Sequence, residues 1–159
     1  AIKHQDSGFA GYVHGDRVYF YQASTRKHTT NSIFTIAADT ILPKVAIIYG
    51  HSGITEGTYN SLLESDIQGL VYAGVGNGNI HEDLFPLLVK AQKKGITVVR
   101  ASRYAGGPVT RDTEVDDDHE QLQTIVSDNL SPQKARLLLM LGLSKTKRKK
   151  TLQTYFDTY

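Results

Sequence analysis

The sequence contains no cysteine. Its 159 residues therefore hold no disulfide, no thiolate nucleophile and no thiolate metal ligand. That leaves the compartment open, because many exported proteins also lack disulfides. No apolar run approaches the roughly 20 residues needed to cross a bilayer, so no membrane span is expected. No signal-peptide pattern opens the chain, the single methionine is Met140, and residue 1 is alanine. The expectation is a processed molecule or a segment of a longer one. A dominant charge is missing too. Eighteen basic side chains face 16 acidic ones, for a net charge of +2, which argues against a chain-wide nucleic-acid footprint. What is present is an apolar content of 40%, enough for one domain with a real core, or one domain plus an appendage.

Three regions differ in pattern. Residues 1–22 hold a β-hairpin, with Phe9–Val13 and Arg17–Tyr21 as strands rich in aromatic and β-branched residues. Gly15-Asp16 between them can supply the positive φ angles of a tight turn. Residues 23–43 are polar at first, show no sustained period and end at Pro43, which reads as an interdomain linker. From residue 44 to 159 the pattern is α/β. Val45–Tyr49, Leu70–Ala73 and Ile96–Val99 are short continuous apolar runs, as expected for strands of a small parallel sheet covered by helices on both faces. Right-handed βαβ units are the natural connection.

The helical patterns lie between and after those runs. Thr55 can cap a helix that places Tyr59, Leu62 and Leu63 on one face. Leu84, Leu87, Leu88 and Ala91 recur at helical spacing, and Gly95 stands where a C-terminal cap glycine belongs. Ser131-Pro132 reads as a helix start, and Leu137–Leu141 is apolar nearly all round, which predicts a buried helix. Leu152, Tyr155, Phe156 and Tyr159 mark the apolar face of a last helix.

The glycine-rich stretch Gly74–Asn79 follows a strand and precedes a helix, the place where open α/β sheets bind ligands. A dinucleotide fingerprint needs a third glycine at the position of Asn79 and an acidic residue about 20 positions further on, where Lys93 and Lys94 stand. No cofactor is implied. The bland alternative is a structural turn with no ligand. The acidic run Asp112, Glu114, Asp116, Asp117, Asp118 and Glu120 lacks the glycine and terminal glutamate of a calcium loop, so a solvated loop is expected for most of it. No two of the six histidines have zinc-helix spacing, and no metal site is implied. Ser52, Ser102 and Thr110 lie outside any nucleophile elbow. The basic cluster Lys145–Lys150 has no interleaved aromatic residue and reads as a solvated helix junction rather than a nucleic-acid site.

Taken in order, several stretches resemble the bacterial type II L-asparaginases. They are Gly11–His14, Arg26–Thr29, Leu42–Val45, Ala73–Asn79, Val98–Arg100 with Ser102-Arg103, Glu114–Asp117 and Leu130–Arg136. The likeness runs nearly from end to end. The loops Gly50–Ile54 and Ala105–Val109 depart from the family's forms. The resemblance implies the last hairpin of a larger N-terminal domain, the linker and the whole C-terminal α/β domain. Family members hydrolyse L-asparagine to L-aspartate and ammonia through a threonine in the N-terminal domain, so it implies no catalytic residue in this chain.

Two substrate-binding positions carry over, Asn79 and Glu114. In the family these residues serve the active site of a neighbouring subunit. That implies a homo-oligomer, dimer or tetramer, a missing N-terminal domain as partner, and a periplasmic location. A carboxylate suits the ammonium group of an amino acid. Family members that use glutamine well often carry serine at the position of Asn79, so Asn79 points to asparagine. The competing expectation is a stand-alone domain that binds an amino acid or nucleotide without chemistry.

Overall fold

A computed structural model describes residues 2–4 and 8–159. At the start, β1 (Ile2–His4), β2 (Gly8–His14) and β3 (Arg17–Phe20) form a three-stranded antiparallel sheet in the order β1-β2-β3. The expected hairpin is β2–β3, with His14 opposite Arg17 and Gly15 at φ +60° in the two-residue turn. The first strand, paired to β2, was not visible in the sequence pattern.

Residues 21–44 contain one short 3-10 turn, Thr29–Asn31, and no strand or α-helix. The segment does not hang free. Arg26 donates to the carbonyl of Phe156 at 3.0 Å and pairs with Asp128. The Lys27 amide donates to the carbonyl of Thr158 at 3.0 Å. Phe34 packs edge-on against Tyr155, with ring centroids 5.1 Å apart.

Beyond it stands a four-stranded parallel sheet in the order β4-β5-β6-β9. Its strands are β4 (Val45–Tyr49), β5 (Gly69–Gly74), β6 (Thr97–Ser102) and β9 (Ile125–Val126). A two-residue pair, β7 (Asp118–His119) and β8 (Leu122–Gln123), precedes β9. Side chains alternate across a strand. Leu70, Tyr72 and Val98 therefore join one core with Leu84, Leu87, Leu88 and Ala91 of the helical segment that ends in α2 (Phe85–Lys93). Val71, Val99 and Ala101 join the opposite core, with α3 (Pro132–Leu143) and α4 (Lys149–Thr158). The result is a helix–sheet–helix sandwich, the α/β class expected.

Local chemistry explains the helix ends. Gly95 sits at φ +81°. There the amide of Ile96 donates to the carbonyl of Ala91 and the amide of Gly95 to that of Gln92, the paired bonds of a Schellman motif. The Ser131 hydroxyl accepts from the amide of Lys134, and Pro132 occupies the first turn of α3. Two expectations need correction. The helix expected after Thr55 is a 3-10 turn, Glu56–Tyr59, followed by the single turn α1 (Asn60–Leu63). The Thr55 hydroxyl meets that of Thr58 at 3.2 Å and caps no amide. Gly57, Asn60 and Ser61 are also weak helix formers. In α3, Leu138 and Leu139 are buried, but Leu137 is 55% exposed. A helix flanked by the sheet on one side has an outer face whatever its composition.

Candidate functional site

The site lies at the carboxyl ends of β5 and β6. The chain leaves β5 through Gly74 and folds back on itself, with Val75 and Asn79 bridged antiparallel and the Asn79 amide donating to the Val75 carbonyl at 2.9 Å. Gly76 and Gly78 take φ +52° and +71°. A Cβ on Gly74 would lie 2.3 Å from the carbonyl oxygen of Asn79, so the fold-back needs glycine there. The turn presents the side chain of Asn79.

Glu114 arrives from the other direction, on the irregular segment between β6 and β7. Although 35 positions apart in sequence, the two side chains meet: Asn79 Nδ2 donates to Glu114 Oε2. Glu114 is exposed and Asn79 half-buried. The remaining polar atom of Asn79, Oδ1, is buried and has no hydrogen-bond partner. A buried acceptor without a donor costs about 1–3 kcal/mol, so this atom is set for a donor that the chain itself does not supply.

Beneath the pair lies an ion pair with no solvent exposure on either side. Arg100, in the middle of β6, grips Asp117 with two bonds, Nε to Oδ1 at 2.7 Å and Nη2 to Oδ2 at 2.6 Å. The same guanidinium donates to the carbonyls of Asn77 at 2.6 Å and Thr110 at 3.1 Å. Asp117 also accepts from the Thr124 hydroxyl and from the amide of Asp112. Burial pushes the Asp117 carboxyl pKa up, but the bonds from Arg100, Thr124 and Asp112 outweigh it and hold the value below 3.8. The expectation of a solvated acidic loop is thus corrected at Asp117, while Asp112, Asp116, Asp118 and Glu120 are exposed. One sequence signal could have found this pair. An arginine inside the apolar run Val98–Ala101 has to be matched by a buried carboxylate.

A pocket of about 260 Å³ is lined by Asn79 together with Gly50, His51, Tyr72, His81 and Arg103. Burial raises the pKa of the Tyr72 hydroxyl, which donates to the carbonyl of Asn79 at 3.2 Å and accepts from the amide of His81 at 3.0 Å. Tyr72 thereby fixes the backbone of the turn from below. Among the described residues no three His, Asp or Glu side chains gather as metal ligands. None of their helices is long and apolar enough to cross a membrane.

Residues 44–156 match the family described as the glutaminase/asparaginase C-terminal domain. The chain belongs to this family. It is 43% identical over 152 residues to the "Probable L-asparaginase periplasmic" of Haemophilus influenzae, an alignment that takes in 96% of the chain and 43% of that relative. It is 38% identical over 158 residues to L-asparaginase 2 of Escherichia coli, covering 99% of the chain and 45% of the relative. A glutaminase-asparaginase of Pseudomonas fluorescens is 34% identical over 153 residues, 96% of the chain and 42% of the relative. The chain thus spans less than half the length of these relatives. Within the family's C-terminal domain, the matched segment contains both Asn79 and Glu114.

Proposed function

We propose that the chain is the C-terminal part of an L-asparaginase, which hydrolyses L-asparagine to L-aspartate and ammonia, and that Asn79 and Glu114 hold the substrate's ammonium group. The carrying observation is the buried, unpartnered Oδ1 of Asn79 beside the exposed carboxylate of Glu114. An amide oxygen and a carboxylate, on two side chains joined to each other by a hydrogen bond, suit an ammonium with its three donors. An amide oxygen without a donor suits an anion poorly. Asn79 Nδ2 meanwhile holds the carboxylate in place.

The family likeness supports the rest of the reading, and the names of the relatives support the activity and the periplasmic location. The nucleophile lies outside this chain, on a segment corresponding to the N-terminal portion of the longer relatives. The site is shared between subunits of a dimer or tetramer, the protein works in the periplasm in asparagine catabolism, and Asn79 favours asparagine over glutamine. Residues 1–22 close the N-terminal domain, 23–43 link the domains, and 44–159 form the second domain.

The test is an ammonia-release assay on a sample whose native mass spectrum holds only the 17.6 kDa chain. Beside it runs the same chain fused behind the portion of the Haemophilus influenzae relative that it does not cover. The expected result is silence from the first and turnover from the second, with Glu114→Gln raising the KM for asparagine about tenfold or more through loss of a charge-assisted bond. Turnover by the lone chain, or an unchanged KM in the variant, would sink the proposal.

A further inference from the structure

We infer that Asn77, which lies on the same turn as Asn79 but has both of its own amide atoms engaged elsewhere, is the positioning residue that keeps Glu114 beside Asn79. The inference rests on the reading of Asn79 and Glu114 given above. Residues 103–117 form an irregular segment with no regular element of its own, and Glu114 is exposed on it. Irregular segments hold a side chain in place only through specific ties. The ties that flank Glu114 most closely come from Asn77, beside the Val109 amide bonded to the Asp128 carbonyl and Arg111 bonded to the Thr124 carbonyl. Asn77 Oδ1 accepts from the Thr110 amide at 2.7 Å, and its Nδ2 donates to the hydroxyl of Thr113, next in sequence to Glu114. Its carbonyl accepts from Arg100, which also takes the carbonyl of Thr110. Thr110 is thus held at its amide by Asn77 and at its carbonyl by Arg100.

The division of labour on the turn is chemical. Asn79 leaves one buried oxygen free, whereas Asn77 spends its amide oxygen and amide nitrogen on residues 110 and 113. Asn77 therefore acts through Glu114. Removing its side chain releases the Thr110 amide and the Thr113 hydroxyl, while Arg100 still holds the Thr110 carbonyl and Asp117 the Asp112 amide; the carboxylate of Glu114 then has to be ordered anew each time it meets an ammonium group. That ordering weakens ligand binding without removing any atom that touches the ligand.

The experiment uses the 159-residue chain and reads the side-chain amide of Asn79 by proton–nitrogen NMR, assigned against an Asn79→Ser variant. In the parent chain these protons are expected downfield and slow to exchange, because they are donated to a carboxylate. Asn77→Ala and Thr113→Val should both lose that signature, and Thr113→Ser, which keeps the hydroxyl, should retain it. Thr113 is exposed, so Thr113→Val should keep the parent's melting temperature within about 2 °C. A second arm titrates L-aspartate into the fused protein described above, with Kd expected to rise about tenfold in Asn77→Ala and Thr113→Val and to stay put in Thr113→Ser. An Asn79 signature that survives in Thr113→Val, or disappears equally in Thr113→Ser, overturns the inference. If the signature behaves as expected but L-aspartate perturbs none of the fused proteins, Asn77 still positions Glu114 and the substrate assignment is what falls.

Discussion

Arg100 shows at the residue scale how the chain joins stability to the site. Its guanidinium is wholly buried, and every nitrogen has an acceptor. Removing one member of such a pair leaves an uncompensated charge, which costs about 3–5 kcal/mol. Asp117→Asn should therefore lower the unfolding free energy at neutral pH by about that much, measured by urea melts. The pH dependence has a definite sign. The Asp117 pKa is held below its unfolded value of 3.8. The unfolded chain thus takes up the proton first as acid is added. This contribution is complete above about pH 4 and is lost as pH falls through the depressed folded value. Urea melts across pH 2–5 should show a steeper acid loss in the parent than in Asp117→Asn, and parallel slopes would contradict the assignment. An arginine next to an apolar strand stands in the sequence, although the strand expected there ended at Val99. The sequence did not show which of the nearby carboxylates answers it, because the partner lies 17 positions away on a segment without periodicity.

The same limit separates the elements that were legible from those that were not. The apolar stripe of α2 and its glycine cap could be read because each is fixed within one or two turns of chain, and all four stripe residues are fully buried. β7, β8 and β9 are two residues each, too short for any alternation to register, and depend on partners elsewhere. In α3 composition pointed the wrong way at one position. Leu137 and Leu139 are the same residue type in the same helix, but the second is fully buried against the sheet and the first is 55% exposed. Leu139→Ala is expected to cost about 2–5 kcal/mol and Leu137→Ala less than about 0.5 kcal/mol. Equal losses in paired thermal melts would mean that the outer face of α3 is covered.

Across the whole molecule, apolar surface is unevenly spread. Phe9, Tyr12, Val13, Val18, Tyr19 and Phe20 on the opening sheet, and Tyr21 just after it, are each between 42% and 73% exposed, and Ile41 in the following segment is 94% exposed. The residues from Val45 onward instead bury two continuous cores, one on each face of the parallel sheet. This contrast supports the proposed division near residue 43, although Phe34 packs against the second core. The segment before it is not uniform either. Residues 26–34 are tied to α4 through Arg26, Lys27 and Phe34, and Ile33 donates its amide to the Tyr159 hydroxyl at 2.8 Å. Among the described residues, 35–43 make only a local turn in their hydrogen bonds, with the Thr40 amide bonded to the Ala37 carbonyl. Exposed backbone with few bonds is where proteases cut first. Thermolysin, which cleaves ahead of large apolar residues, is expected to nick the chain first at Ile36 or Ile41. The product, 36–159 or 41–159, should remain folded by circular dichroism, but with a lower melting temperature than the parent, because the ties from residues 26–34 to α4 are then no longer intramolecular. First cleavage inside 44–159, or loss of cooperative melting in the product, would show that the opening residues belong to the same folding unit as the parallel sheet.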